Sequence, residues 1–206
     1  MFSKIAWSEM SAPATAANFH LFLLRNFLDA AACAELRAEL AAAPTTQAPV
    51  YIEGSDSVIH ETIRKTTSLH PADETFTRIH QRLLQQQTAL EQHFQLTLKD
   101  CERPQFLRYQ NGDFFVRHQD GNTHQLNFDH LRIRRISIVV FLNDHSLEPK
   151  PECFRGGTLN FFDPQNQNSF GLHGETGLLV AFTAETFHEV LPVTSGARFT
   201  IISWFR

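Results

Sequence analysis

The sequence predicts a mostly β chain, a sandwich or jelly roll with helices packed against one face. Three observations lead there. From Cys101 onward, short runs of β-forming residues recur at brief intervals, separated by Gly, Asn, Asp and Pro. Before that point, two long segments carry helical periodicity instead. The chain also holds 19 Phe against only two Tyr, an excess that suits a thick aromatic core between packed sheets. With helices first and strands second, helices buttressing a β-sandwich is the economical arrangement.

The first helix is expected from Asp29 to Ala43. Asp29 is a natural N-cap, Pro44 stands just past the end, and Cys33, Leu36 and Leu40 give one apolar face. A second is expected from Asp73 to Phe94, where Phe76, Ile79, Leu83, Leu90 and Phe94 recur at helical spacing. Between them Val50 to Leu69 reads as a loop followed by a strand near Thr62 to Ser68. The later strands are expected at Gln105 to Tyr109, Asp113 to His118, Arg134 to Leu142, Thr158 to Phe162, Leu178 to Thr183, Phe187 to Val193 and Ala197 to Phe205. Asn111-Gly112, Gly156-Gly157, Asp163-Pro164 and Ser195-Gly196 punctuate them. Seven or eight such strands argue for a sandwich or jelly roll.

Composition excludes several function classes. A net charge of -4 argues against a nucleic-acid binder held by phosphate contacts. The most apolar early run, Phe19 to Leu28, is interrupted by His20 and Arg25 and is too short for a bilayer, so no membrane partner is expected. No signal-peptide pattern opens the chain. Cys33, Cys101 and Cys153 are odd in number and show no CxxC spacing, which fits a reducing compartment; a soluble, cytoplasmic protein is the expectation.

The chemistry-bearing candidates begin with His118-Gln119-Asp120, at the end of a strand. Residues two apart point to one side, so Phe114, Val116, His118 and Asp120 are expected to share a face, with the polar pair at its mouth. Alone, the pair is weak, since a chain with this many His, Asp and Glu holds about one H-x-[DE] by chance. A second, His173-Gly174-Glu175, sits among glycines with no alternating strand before it and reads as a turn. His118 and Asp120 gain weight from His188 and from Arg198 ten residues later. The Ser195-Gly196 turn is expected to fold Arg198 back beside the His188 strand. Two histidines and one carboxylate make a facial triad suited to non-haem iron, and a buried arginine suits the far end of a dicarboxylate. On ligand types alone, a zinc hydrolase stays open.

Ordered motifs give a resemblance. Tyr109-Gln110-Asn111-Gly112-Asp113-Phe114-Phe115-Val116-Arg117-His118-Gln119-Asp120 resembles the Y-x-x-G-x-[FY]-x-x-x-H-x-D stretch of iron- and 2-oxoglutarate-dependent dioxygenases of the prolyl 4-hydroxylase type. The run from Arg134 through Ser137 to Leu142-Asn143 is similar to that family's R-x-x-[TS]-x-x-x-[YF]-L-N strand, and Gly156-Gly157-Thr158-Leu159 to its G-G-x-[TL]. Gly177, His188 to Arg198 and Trp204-Phe205 resemble its closing motifs, while Phe27-Leu28-Asp29 and Ile63-Arg64-Lys65-Thr66 resemble its N-terminal half.

That resemblance implies a double-stranded β-helix, a cupin-like jelly roll, buttressed by N-terminal helices. It implies one domain over 1–206, with 1–100 as helical support and lid and 101–206 as the core with the metal site. His118, Asp120 and His188 match the iron ligands. Arg198 matches the basic residue holding 2-oxoglutarate, Tyr109 a tyrosine of the co-substrate pocket, and Ser137 faces the same pocket by strand parity; Trp204 reads as packing. The implied activity uses Fe(II), 2-oxoglutarate and O2, with ascorbate as reductant, to hydroxylate an unactivated C–H bond, with succinate and CO2 as co-products. A prolyl residue in a peptide or protein is the implied substrate. The alternatives are a free amino acid or other small molecule, or a non-catalytic metal-binding cupin-like module. Val50 to Glu61, with Tyr51, Gly54 and Ser55, is expected to act as a lid over substrate.

Overall fold

The computed structural model describes residues 19–52, 55–121, 133–163 and 168–206. A short strand, Phe22–Leu24 (β1), comes before the first helix, Ala30–Ala42 (α1). The Asp29 carboxylate accepts a hydrogen bond from Ala32 N at 2.8 Å, satisfying one of the free donors of the first turn. Cys33, Leu36 and Leu40 form the buried stripe of α1. Thr45–Gln47 (β2) follows, then Val50–Ile52 (β3) and Ser55–Val58 (β4), which pair antiparallel. The expected lid is therefore built on a hairpin; its Gly54, and the side chains of Tyr51, Ile52 and Ser55, lie outside the described residues.

The single strand expected near Thr62 to Ser68 is two, Arg64–Lys65 (β5) and Thr67–Leu69 (β6), which join different sheets. The long helix expected to Phe94 is also two, Asp73–Leu84 (α2) and Gln87–Phe94 (α3). No Pro or Gly marks the break. Its cause is tertiary: Gln87 Nε2 donates to Leu98 O and Glu91 accepts from Leu98 N, so α3 is turned toward the returning chain. Leu83 and Leu90 still reach the same core.

The strands of the second half are Gln105–Tyr109 (β7), Phe114–His118 (β8), Ile136–Phe141 (β9), Arg155–Gly156 (β10), Leu159–Phe162 (β11), Ser169–Leu172 (β12), Leu179–Thr183 (β13), Phe187–Val190 (β14), Val193–Ser195 (β15) and Arg198–Phe205 (β16). Each expected run is present. The run to Val193 is cut at Leu191-Pro192, since proline offers no N–H to a ladder, and β15 leaves to pair with β10. The strand β12, absent from the sequence reading, immediately precedes His173.

A seven-stranded sheet runs β1-β13-β9-β16-β7-β6-β2 and a five-stranded sheet runs β12-β11-β14-β8-β5, all paired antiparallel. This is the jelly roll. β9 is buried along its whole length, so it needs apolar residues on both faces. Ile136, Ile138 and Val140 join Leu36, Leu40, Ile79 and Leu83 in the core beneath the helices. Val139 and Phe141 face the other way, into a second core with Leu159, Phe161, Phe182 and Val190. The polar site occupies this second layer, between the sheets. Among the described residues, no helix is long and apolar enough to cross a membrane.

Candidate metal centre

His118 ends β8 and stands directly across from His188 on β14. Between His188 and Val190 on one strand, and His118 and Phe115 on the other, the register slips by one residue. This β-bulge overturns the expected alternation. Phe115, not Phe114 or Val116, lies on the side of His118: the Phe115 and His118 rings stack, whereas Val116 is 38% exposed. The two histidine rings are 4.2 Å apart at the centroids, and Phe182 packs its edge on His188.

Each imidazole has its proton fixed by the backbone. His118 Nδ1 lies 2.8 Å from Val116 O and His188 Nδ1 lies 3.0 Å from Thr186 O. A carbonyl only accepts, so both Nδ1 atoms carry the hydrogen and both Nε2 lone pairs stay free. They converge on Asp120. His118 Nε2 is 3.3 Å from Asp120 Oδ1, and His188 Nε2 is 3.6 Å from Asp120 Oδ2. Asp120 N donates to Ala184 O, and Ser137 Oγ donates to Asp120 Oδ2 at 2.7 Å. One ligand atom from each of His118, Asp120 and His188 lies within 4.8 Å of the others, the only such group of three or more among the described residues.

The electrostatics suit a cation. Burial alone would raise the Asp120 carboxyl, but the neighbouring His188 and His118 imidazoles and Arg134 hold it well below the usual carboxylate range. Burial, with help from His118, pushes His188 down to about 4, against the pull of Asp120. At neutral pH the pair is therefore carboxylate and neutral imidazole, the forms that bind metal.

Arg198 is placed otherwise than expected. Ser195-Gly196 closes no hairpin with the His188 strand; it carries the chain across to β16 in the seven-stranded sheet, where Arg198 pairs with Tyr109 of β7. Arg198 thus faces the histidines from the opposite sheet. It is 1% exposed, with its guanidinium carbon 4.9 Å from the Phe141 ring centre and 5.1 Å from that of Tyr109. Among the described residues its Nε has no partner, Nη1 makes only a long 3.4 Å contact to Thr200 Oγ1, and no carboxylate pairs with it. Burial lowers it to about 10, so at neutral pH it remains charged. A buried cation with an orphaned donor is costly unless an anion arrives. His118, Asp120, His188, Tyr109 and Arg198 all line one cavity of about 980 Å³.

Several residues of the cavity wall lie outside the candidates that the sequence singles out for chemistry. Arg134 grips Glu102 through two bonds of 2.8 and 2.7 Å and lies 3.5 Å over the Trp204 ring. Trp204 does pack, as expected, and is one of the residues around the cavity; its buried indole N–H has no partner among the described residues. Arg64 is buried over Phe115 and, among the described residues, is bonded only through Nη1 to Pro49 O, with Nε and Nη2 unpaired. Its only sequence signal was its place in Ile63-Arg64-Lys65-Thr66. His173 and Glu175 stand apart: His173 stacks on His145 and Glu175 pairs with Arg25.

A family model, the 2OG-Fe(II) oxygenase superfamily, matches residues 104–206, half of the chain. The chain belongs to this superfamily. The oxygenase is 31% identical over 107 residues to a PKHD-type hydroxylase of Cupriavidus pinatubonensis, covering 50% of this chain and 42% of the relative. It therefore matches less than half the length of that relative. A crystal structure of a Pseudomonas putida prolyl-4-hydroxylase is similar with a TM-score of 0.62 and 28% identity, covering 92% of this chain and 94% of that one. A Trichoplax adhaerens prolyl hydroxylase, in complex with a hypoxia inducible factor oxygen degradation domain peptide fragment, shares the fold with a TM-score of 0.65 at 17% identity, covering 92% and 84%. The donor set fits the iron that the superfamily name implies: two free imidazole nitrogens and one ionised carboxylate at one point, with room in the cavity beside them.

Proposed function

We propose that this oxygenase hydroxylates an unactivated C–H bond, that of a prolyl residue in a peptide or protein, using Fe(II), 2-oxoglutarate and O2, with ascorbate as reductant. The observation that carries this reading is the Arg198 guanidinium, without a carboxylate partner among the described residues, facing His118, Asp120 and His188 across one cavity. A metal-binding module without turnover has no use for a buried cation there. Iron(II) held by these three residues, together with 2-oxoglutarate and O2, would supply the oxidation of C–H to C–OH, leaving succinate and CO2.

The chain's own residues have separate tasks. His118, Asp120 and His188 hold the metal; Arg198 takes the distal carboxylate of 2-oxoglutarate, and its fork orients that dicarboxylate. Tyr109 and Phe141 wall the guanidinium and exclude water, which strengthens the charge contact.

A peptide fits better than a free amino acid. The cavity is lined from Arg198 on β16 to Thr46 on β2, three strand spacings, or about 14 Å, along the sheet. The Trichoplax adhaerens relative of this fold was solved with a peptide, which supports the same reading. The hairpin β3–β4, whose Val50 lines the cavity, serves as the lid. Free Cys33, Cys101 and Cys153 support a cytoplasmic setting.

The test is succinate formation from 2-oxoglutarate by the purified chain with Fe(II) and ascorbate, alone and with proline-containing peptides. Peptide-stimulated succinate with a mass gain of one oxygen on the peptide supports the proposal. Stimulation by free proline but by no peptide selects the small-molecule alternative, and no succinate under any condition overturns the enzyme reading.

A further inference from the structure

Ser137 is a buried hydroxyl on the central strand β9, 1% exposed, between Phe182 of β13 and Trp204 of β16. A serine has one proton to donate, and here it goes to Asp120 Oδ2 at 2.7 Å. The carboxylates of 2-oxoglutarate are acceptors only. While that bond stands, Ser137 has nothing to donate to them. The carboxylate it grips is turned so that Oδ1 lies nearer its histidine, 3.3 Å from His118 Nε2, than Oδ2 does to His188, at 3.6 Å. Asp120 itself sits beyond the end of β8, held by the backbone bond from its N to Ala184 O. That bond fixes the main chain but leaves the rotation of the carboxylate open.

We infer that Ser137 is a positioning residue for the metal ligand Asp120 and makes no contact with 2-oxoglutarate. It pins Oδ2 and thereby presents Oδ1, with the two Nε2 atoms, as the third donor. This rests on the reading that His118, Asp120 and His188 hold iron. The physical reason is preorganisation: a carboxylate on a short side chain at a strand end can turn, and a fixed partner on a rigid central strand removes that freedom before the ion arrives. Arg134 supports the same ligand less directly, through a 3.4 Å contact from Nη1 to Asp120 O.

The experiment titrates the metal-free protein with Mn(II) and with Fe(II) under anaerobic conditions, then titrates the metal-loaded protein with 2-oxoglutarate. Ser137→Ala should weaken metal binding by about 10- to 100-fold, the usual effect of losing a partner behind a ligand. It should leave 2-oxoglutarate binding to the fully loaded protein close to wild type. Ser137→Thr and Ser137→Val form a matched pair of nearly equal shape. Thr should keep the affinity and Val should lose it, even if the added methyl group costs both variants some stability. Equal metal affinity in wild type, Ala and Val would overturn the inference, as would a loss confined to 2-oxoglutarate binding. A wild-type protein that binds neither ion would instead overturn the metal assignment itself, so the two failures are separable.

Discussion

Phe115 lies flat against His118, the ring centres 3.6 Å apart and the planes 17° from parallel. The contact exists because the bulge between β8 and β14 brings a residue three places before His118 onto its side of the sheet. Arg64, paired with Phe115 from β5, places its guanidinium carbon over the same ring, 4.9 Å from its centre. The stack, with the bond from His118 Nδ1 to Val116 O, leaves the imidazole one orientation.

Phe115→Ala should therefore loosen His118 more than it harms the fold. Phe115 is only partly buried, so about 1–2 kcal/mol of stability is expected, below the roughly 3–5 kcal/mol of a fully buried phenylalanine. Iron affinity should fall several-fold in the same variant. Chemical unfolding and metal titration measure the two separately, and unchanged iron affinity would mean that the backbone bond alone fixes the ring.

Arg198→Ala should raise the 2-oxoglutarate requirement while leaving metal affinity nearly unchanged. Losing one member of a desolvated charge pair costs about 2–5 kcal/mol, or tens to thousands of fold in affinity. Arg198→Lys should recover part of this, because it restores charge without the planar fork. A 2-oxoglutarate titration of the loaded protein decides the matter.

Gly157 makes room for that arginine. Its φ is +59°, and an added Cβ would lie 2.9 Å from Arg198 Cδ and 3.0 Å from Val193 Cγ2. Gly157→Ala should cost at least about 1 kcal/mol from the left-handed backbone alone. It should also weaken 2-oxoglutarate binding by displacing Arg198, with metal affinity preserved. If only stability changes, the arginine tolerates the shift.

Acid should destabilise the metal-free protein in a defined window. Unfolded, His188 takes a proton near its ordinary 6.5; folded, burial delays this to about 4. Between those values the unfolded chain holds the extra proton, so stability is lost as the pH falls from 6.5 through about 4. Asp120, held low in the folded state, extends the loss below its ordinary 3.8. Urea midpoints across this range should show the slope, and His188→Gln should flatten its upper part.

Shortening residues 53–57 should abolish hydroxylation of the substrate while slow, uncoupled consumption of 2-oxoglutarate survives. The hairpin is built from Val50–Ile52 and Ser55–Val58, whereas the metal group and Arg198 come from β8, β14 and β16 and the segment just after β8. Substrate turnover equal to wild type would make the hairpin a plain surface connection.

The sequence by itself determined what depends on neighbours along the chain. Asp29 caps α1 because its side chain reaches its own first turn, and the β9 run is buried because it is apolar at every position. His118, Asp120, His188 and Arg198 were legible through their order and spacing. Tertiary structure decided what depends on pairing between distant strands. Periodicity reports which side a residue takes within one regular strand, but a bulge resets that count, so Phe115 and not Val116 joins His118. A turn such as Ser195-Gly196 does not say which sheet the next strand will enter; pairing with Tyr109 took Arg198 across the cavity from the histidines. The break between α2 and α3 and the bond from Ser137 to Asp120 have the same origin, since each is set by a partner that comes close only after the chain has folded.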